Sequence, residues 1–322
     1  MSKRRVVLIG SAGTGTAFAA ACALRRVWSQ SVVVIAMDIN PMHLVTTALL
    51  TDHFEQVPLS ASPEFSESLL KIVQHYKVDT YLPLFPKEIE LAARLRSNGS
   101  ISASVKLMTP PPAASAACAD KWMLCQLLQN RGVPVPKTAP ASTPFLAEEF
   151  FLKPKDGTGS LGARKVKKVD LSEIVGGRGG DWIVQEICMP PEVTVDAFYD
   201  PVQGFSRVIC RERIEVKSGV STKARLYEDE ELSRIALVLA KVIELAGSFC
   251  FQVMRNPAGW VVTDVNPRPG AATAMCATTG NDFFAASFAH CWGEDARRFF
   301  GSLDGEQFVT RQYTEFLMGP KS

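Results

Sequence analysis

The residues with the clearest chemical potential lie in a glycine-rich loop that follows a lysine. Residues 152–163 read LKPKDGTGSLGA, between two short runs that predict strands. Glycines let backbone amides approach phosphate oxygens, hydroxyl groups add donors, and Lys153 supplies a cation. The order differs from a P-loop, in which G-x-x-x-x-G-K-[ST] opens a helix. The pattern predicts a hairpin flap that closes on a polyphosphate, and a flexible surface hairpin is the alternative.

A second group of polar residues lies on two predicted strands near the end of the chain. The runs FCFQVM and WVVTDVN alternate with period two, and N-P-A-G lies between them. A three-residue Pro-Ala-Gly loop would pair Asn256 with Trp260. Counting back from that pair places Gln252 opposite Asp264, and Asn266 then lies on the same face.

Side-chain oxygens grouped on a rigid strand pair suit Mg²⁺, which binds one or two carboxylates together with substrate phosphates. The alternative is that these polar residues merely face solvent. Arg268 follows Asn266 by two residues. A cation at that position could bind the phosphoryl group during its transfer.

The loop Gly10–Gly15 follows the first predicted strand and opens a helix. Backbone amides at such a helix start can hold an anion, and Asp38 ends the next strand. However, the order is G-x-x-G-x-G, whereas the dinucleotide fingerprint is G-x-G-x-x-G. A small-molecule substrate over this loop and a purely structural tight turn therefore remain the alternatives to a nicotinamide cofactor.

These groups are separated by elements whose order predicts the fold class. Strands alternate with helices through the first hundred residues, including a helix over 41–50 that Pro41 opens. This alternation predicts a doubly wound parallel sheet. The prolines at 110–112 mark a boundary. A helix is predicted over 120–131, and strands around the glycine loop follow it. Further strands and a helix over 229–246 complete a mixed α/β and α+β chain.

The overall composition bounds the remaining function classes. The chain has 322 residues, 47% of them hydrophobic, and a formal net charge of +2. That balance gives no reason to expect a nucleic-acid or membrane partner, and no apolar run reaches the ~20 residues of a membrane helix. Val6–Ile9 predicts a strand rather than a signal peptide, so we expect a cytoplasmic protein. The eight cysteines show no C-x-x-C spacing, which predicts reduced thiols without a disulfide or zinc site.

Four segments together resemble the ATP-grasp superfamily, and most of all the carbamoyl phosphate synthetase large-chain branch. The likeness spans about residues 1 to 300. The matching segments, in the family's order, are Asp120-Lys121, then Lys153-Pro154 with the flap at 156–162, then Gln185-Glu186-Ile187 with Glu192 to Asp196, and finally Gln252 with Asp264 to Arg268.

The resemblance implies a role for each matching position. ATP phosphates would be contacted by Lys121, Lys153, Gly157, Thr158, Gly159 and Ser160. Adenine would be held by the backbone of Gln185, Glu186 and Ile187, and the ribose by Glu192. Metal ions would be held by Gln252, Asp264 and Asn266. Phosphoryl transfer or substrate binding would be assisted by Arg268, Arg211 and Arg213, the last two spaced to point into one cleft.

The resemblance also implies the domain plan and the ligands. Residues 1–110 would be a Rossmann-like pre-ATP-grasp domain, 111–186 linker helices with the lid subdomain, and 187–322 the C-terminal ATP-grasp subdomain with the metal site. The cofactors would be ATP and Mg²⁺, with Mn²⁺ as an alternative. Partners would be a small-molecule carboxylate and an amine, and a homodimer is left open.

Three features depart from the family's pattern. Asp264 stands where the principal metal carboxylate is usually Glu, and Gln252 replaces an acid, as it does in the carbamoyl phosphate branch. The chain has one ATP-grasp unit and no amidotransferase-like part, which argues against carbamoyl phosphate as its product. The expected reaction is an ATP-dependent carboxylate–amine or carboxylate–thiol ligation through an acyl phosphate. A phosphotransferase on the same fold and a degenerate ATP-binding regulatory protein are the alternatives.

Overall fold

The computed structural model describes residues 4–156 and 162–319. The chain divides into two compact units. Unit 1 consists of Met1–Pro112, Arg268–Ser302 and Gln312–Ser322, and unit 2 of Ala113–Pro267 and Leu303–Arg311. The segment Arg268–Ser302 thus groups with the N-terminal residues, whereas the expected plan assigned it to the C-terminal subdomain. The three-part plan itself stays a prediction.

The helices and strands are as follows in chain order. The first are β1 (Arg5–Ile9), α1 (Gly15–Val27), β2 (Val32–Asp38), β3 (His53–Gln56), α2 (Pro63–His75), β4 (Thr80–Leu82), α3 (Pro86–Ser97) and β5 (Lys106–Leu107). The next are α4 (Pro112–Ala119), α5 (Lys121–Asn130), β6 (Thr138–Pro140), β7 (Glu149–Pro154), β8 (Arg164–Lys167), α6 (Leu171–Val175) and β9 (Trp182–Gln185). The last are β10 (Met189–Asp200), β11 (Phe205–Lys217), β12 (Val220–Tyr227), α7 (Glu230–Val242), β13 (Gly247–Asn256), β14 (Gly259–Asn266), α8 (Phe283–Trp292) and β15 (Gln307–Thr310).

Unit 1 is built on a five-stranded sheet in the order β3-β2-β1-β4-β5, and all its pairs are parallel. The doubly wound sheet is therefore confirmed. The alanine-rich face of α1 packs with Phe284 and Phe288 of α8 in one core cluster, because alanines let a helix approach closely. On the other side of the sheet, Leu8 and Tyr81 pack with residues of α2 and α3.

One helix predicted in unit 1 is absent from the described residues. Residues 41–50 form two short 3₁₀ turns, Met42–Leu44 and Thr46–Leu50, instead of the expected α-helix. Thr47 is buried and its hydroxyl donates to the Ala12 carbonyl at 2.6 Å. β-Branched residues disfavour the helix, and this tertiary hydrogen bond holds the segment against the first glycine loop instead.

Unit 2 contains two sheets. Six strands lie in the order β14-β13-β10-β11-β12-β15, and four lie in the order β6-β9-β7-β8. All their pairs are antiparallel. Helix α7 covers one face of the six-stranded sheet, burying Leu232, Ile235 and Leu239 against Val195 and Phe251. That helix side of the sheet is the core of unit 2, and the polar residues described below lie on the other face.

No helix in residues 4–156 or 162–319 is long and apolar enough to span a lipid bilayer.

Helix α5 begins with a side-chain cap, Asp120. Asp120 accepts hydrogen bonds from the amides of Trp122 (2.9 Å) and Met123 (3.0 Å), and Lys155 pairs with it at 2.9 Å. Partial burial raises the pKa of Asp120, but the hydrogen bonds from Met123 and Lys155 outweigh it and leave that pKa below the ordinary 3.8. The folded state therefore favours the charged carboxylate.

We expect Asp120→Ala to lower the free energy of unfolding by about 1 kcal/mol at pH 7, because the helix loses its N-cap. Asp120→Asn should lose much less, since an amide oxygen still caps. Because the folded pKa is depressed, the charge-dependent part of the effect is present above pH ~4 and is lost as the pH falls through the folded pKa. Urea unfolding at pH 7 and pH 3 measures both. Equal losses for the two variants would rule out capping as the cause.

Candidate active site

The face of the six-stranded sheet opposite α7, which we call the open face, carries a row of polar residues. Asp264 pairs with Gln252, Gln252 with Thr194, and Thr194 with Arg211, so the row crosses β14, β13, β10 and β11. Directly paired residues in a sheet point to the same face. The neighbouring residue Phe251 points the other way, into the core under α7. The predicted juxtaposition of Gln252 and Asp264 is confirmed.

Asn266 lies in the next row of the same face. It pairs with Cys250, and Cys250 pairs with Asp196. The Asn266 amide donates to Asp264 Oδ2 at 3.3 Å. The three predicted metal ligands are therefore together on two adjacent strands, and each is half-buried.

The turn that connects these strands differs from the predicted one. Asn256 pairs with Gly259 and Arg255 with Trp260, so the loop has two residues and the predicted Asn256–Trp260 pair is wrong. A β-bulge compensates for the shift, because Thr263 is an extra residue in β14 between Val262 and Asp264, which pair with consecutive residues of β13. Two departures cancel, and the ligand register is the predicted one.

Lys153 lies at the end of β7 and is only 8% exposed. Its ammonium group donates to the carbonyl oxygen of Thr263 at 3.0 Å, which connects the four-stranded sheet to the bulge of the six-stranded sheet. Burial lowers the pKa of Lys153, and the nearby Asp264 carboxylate opposes that shift. The lysine predicted to contact phosphate is thus held in the neighbourhood of the predicted metal carboxylate.

Lys121 is the first residue of α5, and its charge adds to the lowering of the Lys153 pKa. Its backbone amide donates to the carbonyl of Lys155 at 2.9 Å, which attaches the start of the helix to the chain just after β7. The structure therefore brings Lys121 and Lys153 within electrostatic range of each other. Lys121 and Asp264 thus act on the charge of Lys153 in opposite directions.

Glu192 and Arg213 form an ion pair, and Arg213 also donates to the Gly219 carbonyl at 3.0 Å. The side chain of Glu192 keeps 38% of its surface exposed, whereas that of Arg213 keeps 7%. The arginine is thus packed in place and the carboxylate is accessible. Arg213, which is expected to contact substrate, therefore orientates Glu192, which is expected to hold a ribose hydroxyl.

Arg211 is in a buried ion pair that sequence reasoning missed. Its Nε donates to Asp196 Oδ2 at 2.9 Å and its Nη2 to Oδ1 at 3.4 Å, while Nη1 donates to the Ser221 hydroxyl at 3.0 Å. Asp196 is fully buried and Arg211 is 3% exposed. A bidentate pair of this kind fixes the guanidinium plane. The period-two spacing of Thr194 and Asp196 was the available signal that both share the open face.

The predicted adenine hinge follows β9. The Gln185 side chain is buried and donates to the Thr138 hydroxyl at 2.8 Å. The Glu186 amide donates to the Lys137 carbonyl at 2.9 Å, and its carboxylate accepts from Asn256 at 2.9 Å. Ile187 is 37% exposed. Backbone and side-chain hydrogen bonds hold the segment, and Ile187 leaves an apolar side chain at the surface.

The flap residues Gly157, Thr158, Gly159 and Ser160 lie outside the described residues. Arg268 belongs to unit 1, and its Nη1 donates to the Pro269 carbonyl at 3.1 Å. Their expected roles stay predictions.

In unit 1, the first glycine loop is occupied by carboxylates of the chain itself. Asp38 accepts the Gly13 amide at 2.7 Å, and Glu88 accepts the Ser11 hydroxyl at 2.8 Å. A Cβ atom at Gly10 would lie 2.4 Å from Glu88. Burial raises the pKa of Glu88. Contacts within the chain thus explain why position 10 is a glycine. This favours the structural interpretation of the loop over a pyrophosphate site.

Among residues 4–156 and 162–319, no three His, Cys, Asp or Glu side chains come together as a metal cluster. The oxygen groups of Gln252, Asp264 and Asn266 combine one carboxylate with two amides. That combination suits a hard cation that shares its coordination sphere with phosphate oxygens.

The comparisons with known proteins agree with the fold described above. A family model of the ATP-grasp domain matches residues 118–272. No curated protein sequence matches the chain significantly. The structure of L-amino acid ligase from Bacillus licheniformis is similar, with a TM-score of 0.70 and 13% identity over 90% of this chain and 75% of that chain.

Two further structures share the fold. Biotin carboxylase from Campylobacter jejuni, as a β-γ-ATP complex, has a TM-score of 0.71 and 16% identity over 95% of this chain and 75% of that chain. N5-carboxyaminoimidazole synthetase from Staphylococcus aureus has a TM-score of 0.72 and 14% identity over 91% of this chain and 78% of that chain. At such identities the likeness establishes the fold, and the carbamoyl phosphate synthetase branch stays a prediction. Together with the family match, it shows an ATP-grasp domain at residues 118–272 of the chain.

Proposed function

We propose that this protein is an ATP-dependent ligase that joins a small-molecule carboxylate to an amine or a thiol through an acyl phosphate, releasing ADP and phosphate. The observation that carries the proposal is the buried ammonium of Lys153, which the Thr263 carbonyl holds beside the Gln252–Asp264 pair. A cation and oxygen ligands of this kind, side by side, suit a metal-bound polyphosphate.

The residues present fit Mg²⁺, and Mn²⁺ is the alternative ion. Gln252, Asp264 and Asn266 would offer one oxygen each from one face of two paired strands. One carboxylate with neutral oxygens is the usual protein contribution to a magnesium site in which phosphates supply further ligands. When bound, the ion would neutralise developing charge on the phosphoryl oxygens.

The protein's own groups would act by positioning and by electrostatics. Lys153 and Lys121 would neutralise phosphate oxygens. The accessible carboxylate of Glu192, which Arg213 orientates, would hold the ribose. Arg211 is aligned by Asp196 on the same face, which suits a fixed donor rather than a mobile one. Arg268 and the flap at 157–160 would add contacts. No nucleophile from the protein is required, since the substrate carboxylate attacks the γ-phosphate.

An acyl phosphate trap tests the reaction class. Purified protein with Mg·ATP, hydroxylamine and a panel of amino acids and small carboxylates should give an acyl hydroxamate with an equal amount of ADP. Replacing hydroxylamine with amines or thiols then identifies the acceptor. Stable phosphorylated product without acceptor-dependent condensation would instead identify a phosphotransferase. Nucleotide binding without turnover across the panel would favour a regulatory protein.

We expect Lys153→Met to reduce ATP turnover by about 10²- to 10³-fold, the usual cost of removing one preorganised charged donor. The fold should persist, because methionine fills the same buried space without an ammonium group. Lys155→Met is the matched control, since Lys155 is two residues along, more exposed and paired with Asp120. Phosphate release and circular dichroism measure the two properties. Equal turnover in Lys153→Met and the wild type would exclude Lys153 from phosphate binding.

We expect Asp264→Asn to reduce turnover by about 100-fold or more and to raise the Mg²⁺ concentration needed for half-maximal rate, because the site loses its carboxylate. Asp304→Asn, an identical change at an exposed residue, is the control. Titration with Mg²⁺ and Mn²⁺ at fixed ATP measures the shift. Unchanged metal dependence in Asp264→Asn would place the metal elsewhere.

A further inference from the structure

The β-bulge at Thr263 is not needed for the register of the strands that carry it. Val253 pairs with Val262, and Gln252 with Asp264, so Thr263 is one residue more than the pairing requires. Without it the chain would pass from Val262 to Asp264 directly. Strict alternation would still send Val262 to the core and Asp264 to the open face, with every pair on either side preserved.

The extra residue contributes two hydrogen bonds instead. A bulged residue is left out of the ladder, so its backbone groups are available to other partners. The Thr263 carbonyl accepts from the Lys153 ammonium at 3.0 Å. The Thr263 hydroxyl donates to the Gln252 carbonyl at 3.2 Å, which ties the bulge to the opposite strand.

The acceptor matters because Lys153 is nearly buried. A buried ammonium group needs hydrogen-bond partners to offset its lost hydration. It has three N–H donors, and one donor fixed on Thr263 restricts the directions of the other two. Since the carbonyl belongs to the residue next to Asp264, it also fixes the ammonium relative to that carboxylate.

We propose that Thr263 is a positioning residue, whose bulged carbonyl holds the Lys153 ammonium beside the Gln252–Asp264 pair and leaves its remaining donors for nucleotide phosphate. This inference rests on the proposed nucleotide site, which it extends to a residue that contacts no reacting atom. The hydroxyl of Thr263 stabilises the bulge, and the carbonyl performs the positioning.

Deletion of Thr263 is the sharpest test, because it removes the bulge and keeps the strand register. Because the deletion removes a charge-assisted hydrogen bond, the Kd for ATP should rise by about tenfold or more. Thr263→Val keeps the carbonyl and loses the hydroxyl, so we expect a rise of about threefold. Thr263→Ser should restore the wild-type value. Thr310→Val, the same change on the exposed edge strand β15, should have no effect. Isothermal titration calorimetry with ATP measures all four.

A second readout does not depend on nucleotide. In the apoprotein, reductive methylation followed by peptide mass spectrometry should modify Lys153 several-fold faster in the deletion variant than in the wild type, while the rate at Lys155 stays unchanged. Unchanged Lys153 reactivity together with unchanged ATP affinity in a folded deletion variant would overturn the proposal. If the deletion variant does not fold, Thr263→Val decides on both readouts, and wild-type values in it would overturn the proposal. A wild-type protein without ATP affinity would refute the nucleotide site, and the methylation rate would still test the Thr263 contact.

Discussion

The cost of burying the Lys153 ammonium group is the constraint to which much of unit 2 responds. A cation that is 8% exposed loses most of its hydration, and burial lowers its pKa accordingly. Two features of the six-stranded sheet compensate for that loss: the bulged carbonyl of Thr263 and the charge of Asp264. An ordinary surface lysine would need neither. The bulge, the carboxylate proposed to bind the metal and the end of β7 are thus linked by one electrostatic requirement.

The alternation of β10, β11 and β13 makes this arrangement compatible with a stable core. Val195, Cys210 and Phe251 are buried under α7, while their neighbours Thr194 and Arg211 occupy the opposite face. The charges on that face are matched within the sheet, with Asp196 on Arg211 and Glu192 on Arg213. The buried Asp196–Arg211 pair contributes little net stability, but its two hydrogen bonds fix the plane of the guanidinium group. Arginine donors are therefore already orientated before any ligand binds.

The sequence predicted this site through periodicity and composition, and failed where backbone hydrogen bonds decide. Period two correctly placed Gln252 opposite Asp264. However, the loop has two residues instead of the expected three, and the bulge at Thr263 offsets the difference. A one-residue bulge has no signature in residue type, since Thr263 fits a regular strand equally well. Similarly, the alternating pattern identified the strand of Arg211 but not its partner. Residues 41–50 were expected to form a helix opened by Pro41, but a tertiary hydrogen bond from Thr47 holds them in another conformation. No feature of the sequence identified Glu88, which is buried on the first glycine loop and accepts the Ser11 hydroxyl.

The remaining charge balance favours a polyphosphate over a neutral ligand. Arg211 and Arg213 each have a carboxylate partner. The charge of Lys153 is repelled by that of Lys121 and attracted by that of Asp264. A neutral ligand would leave that repulsion in place, and a bare divalent cation would increase it. A phosphate chain between the lysines would relieve their repulsion. Its oxygens would also fill the coordination positions of a metal that Asp264 and the two amides leave vacant. Cation and nucleotide should therefore bind cooperatively, because each offsets a charge that is unfavourable for the other.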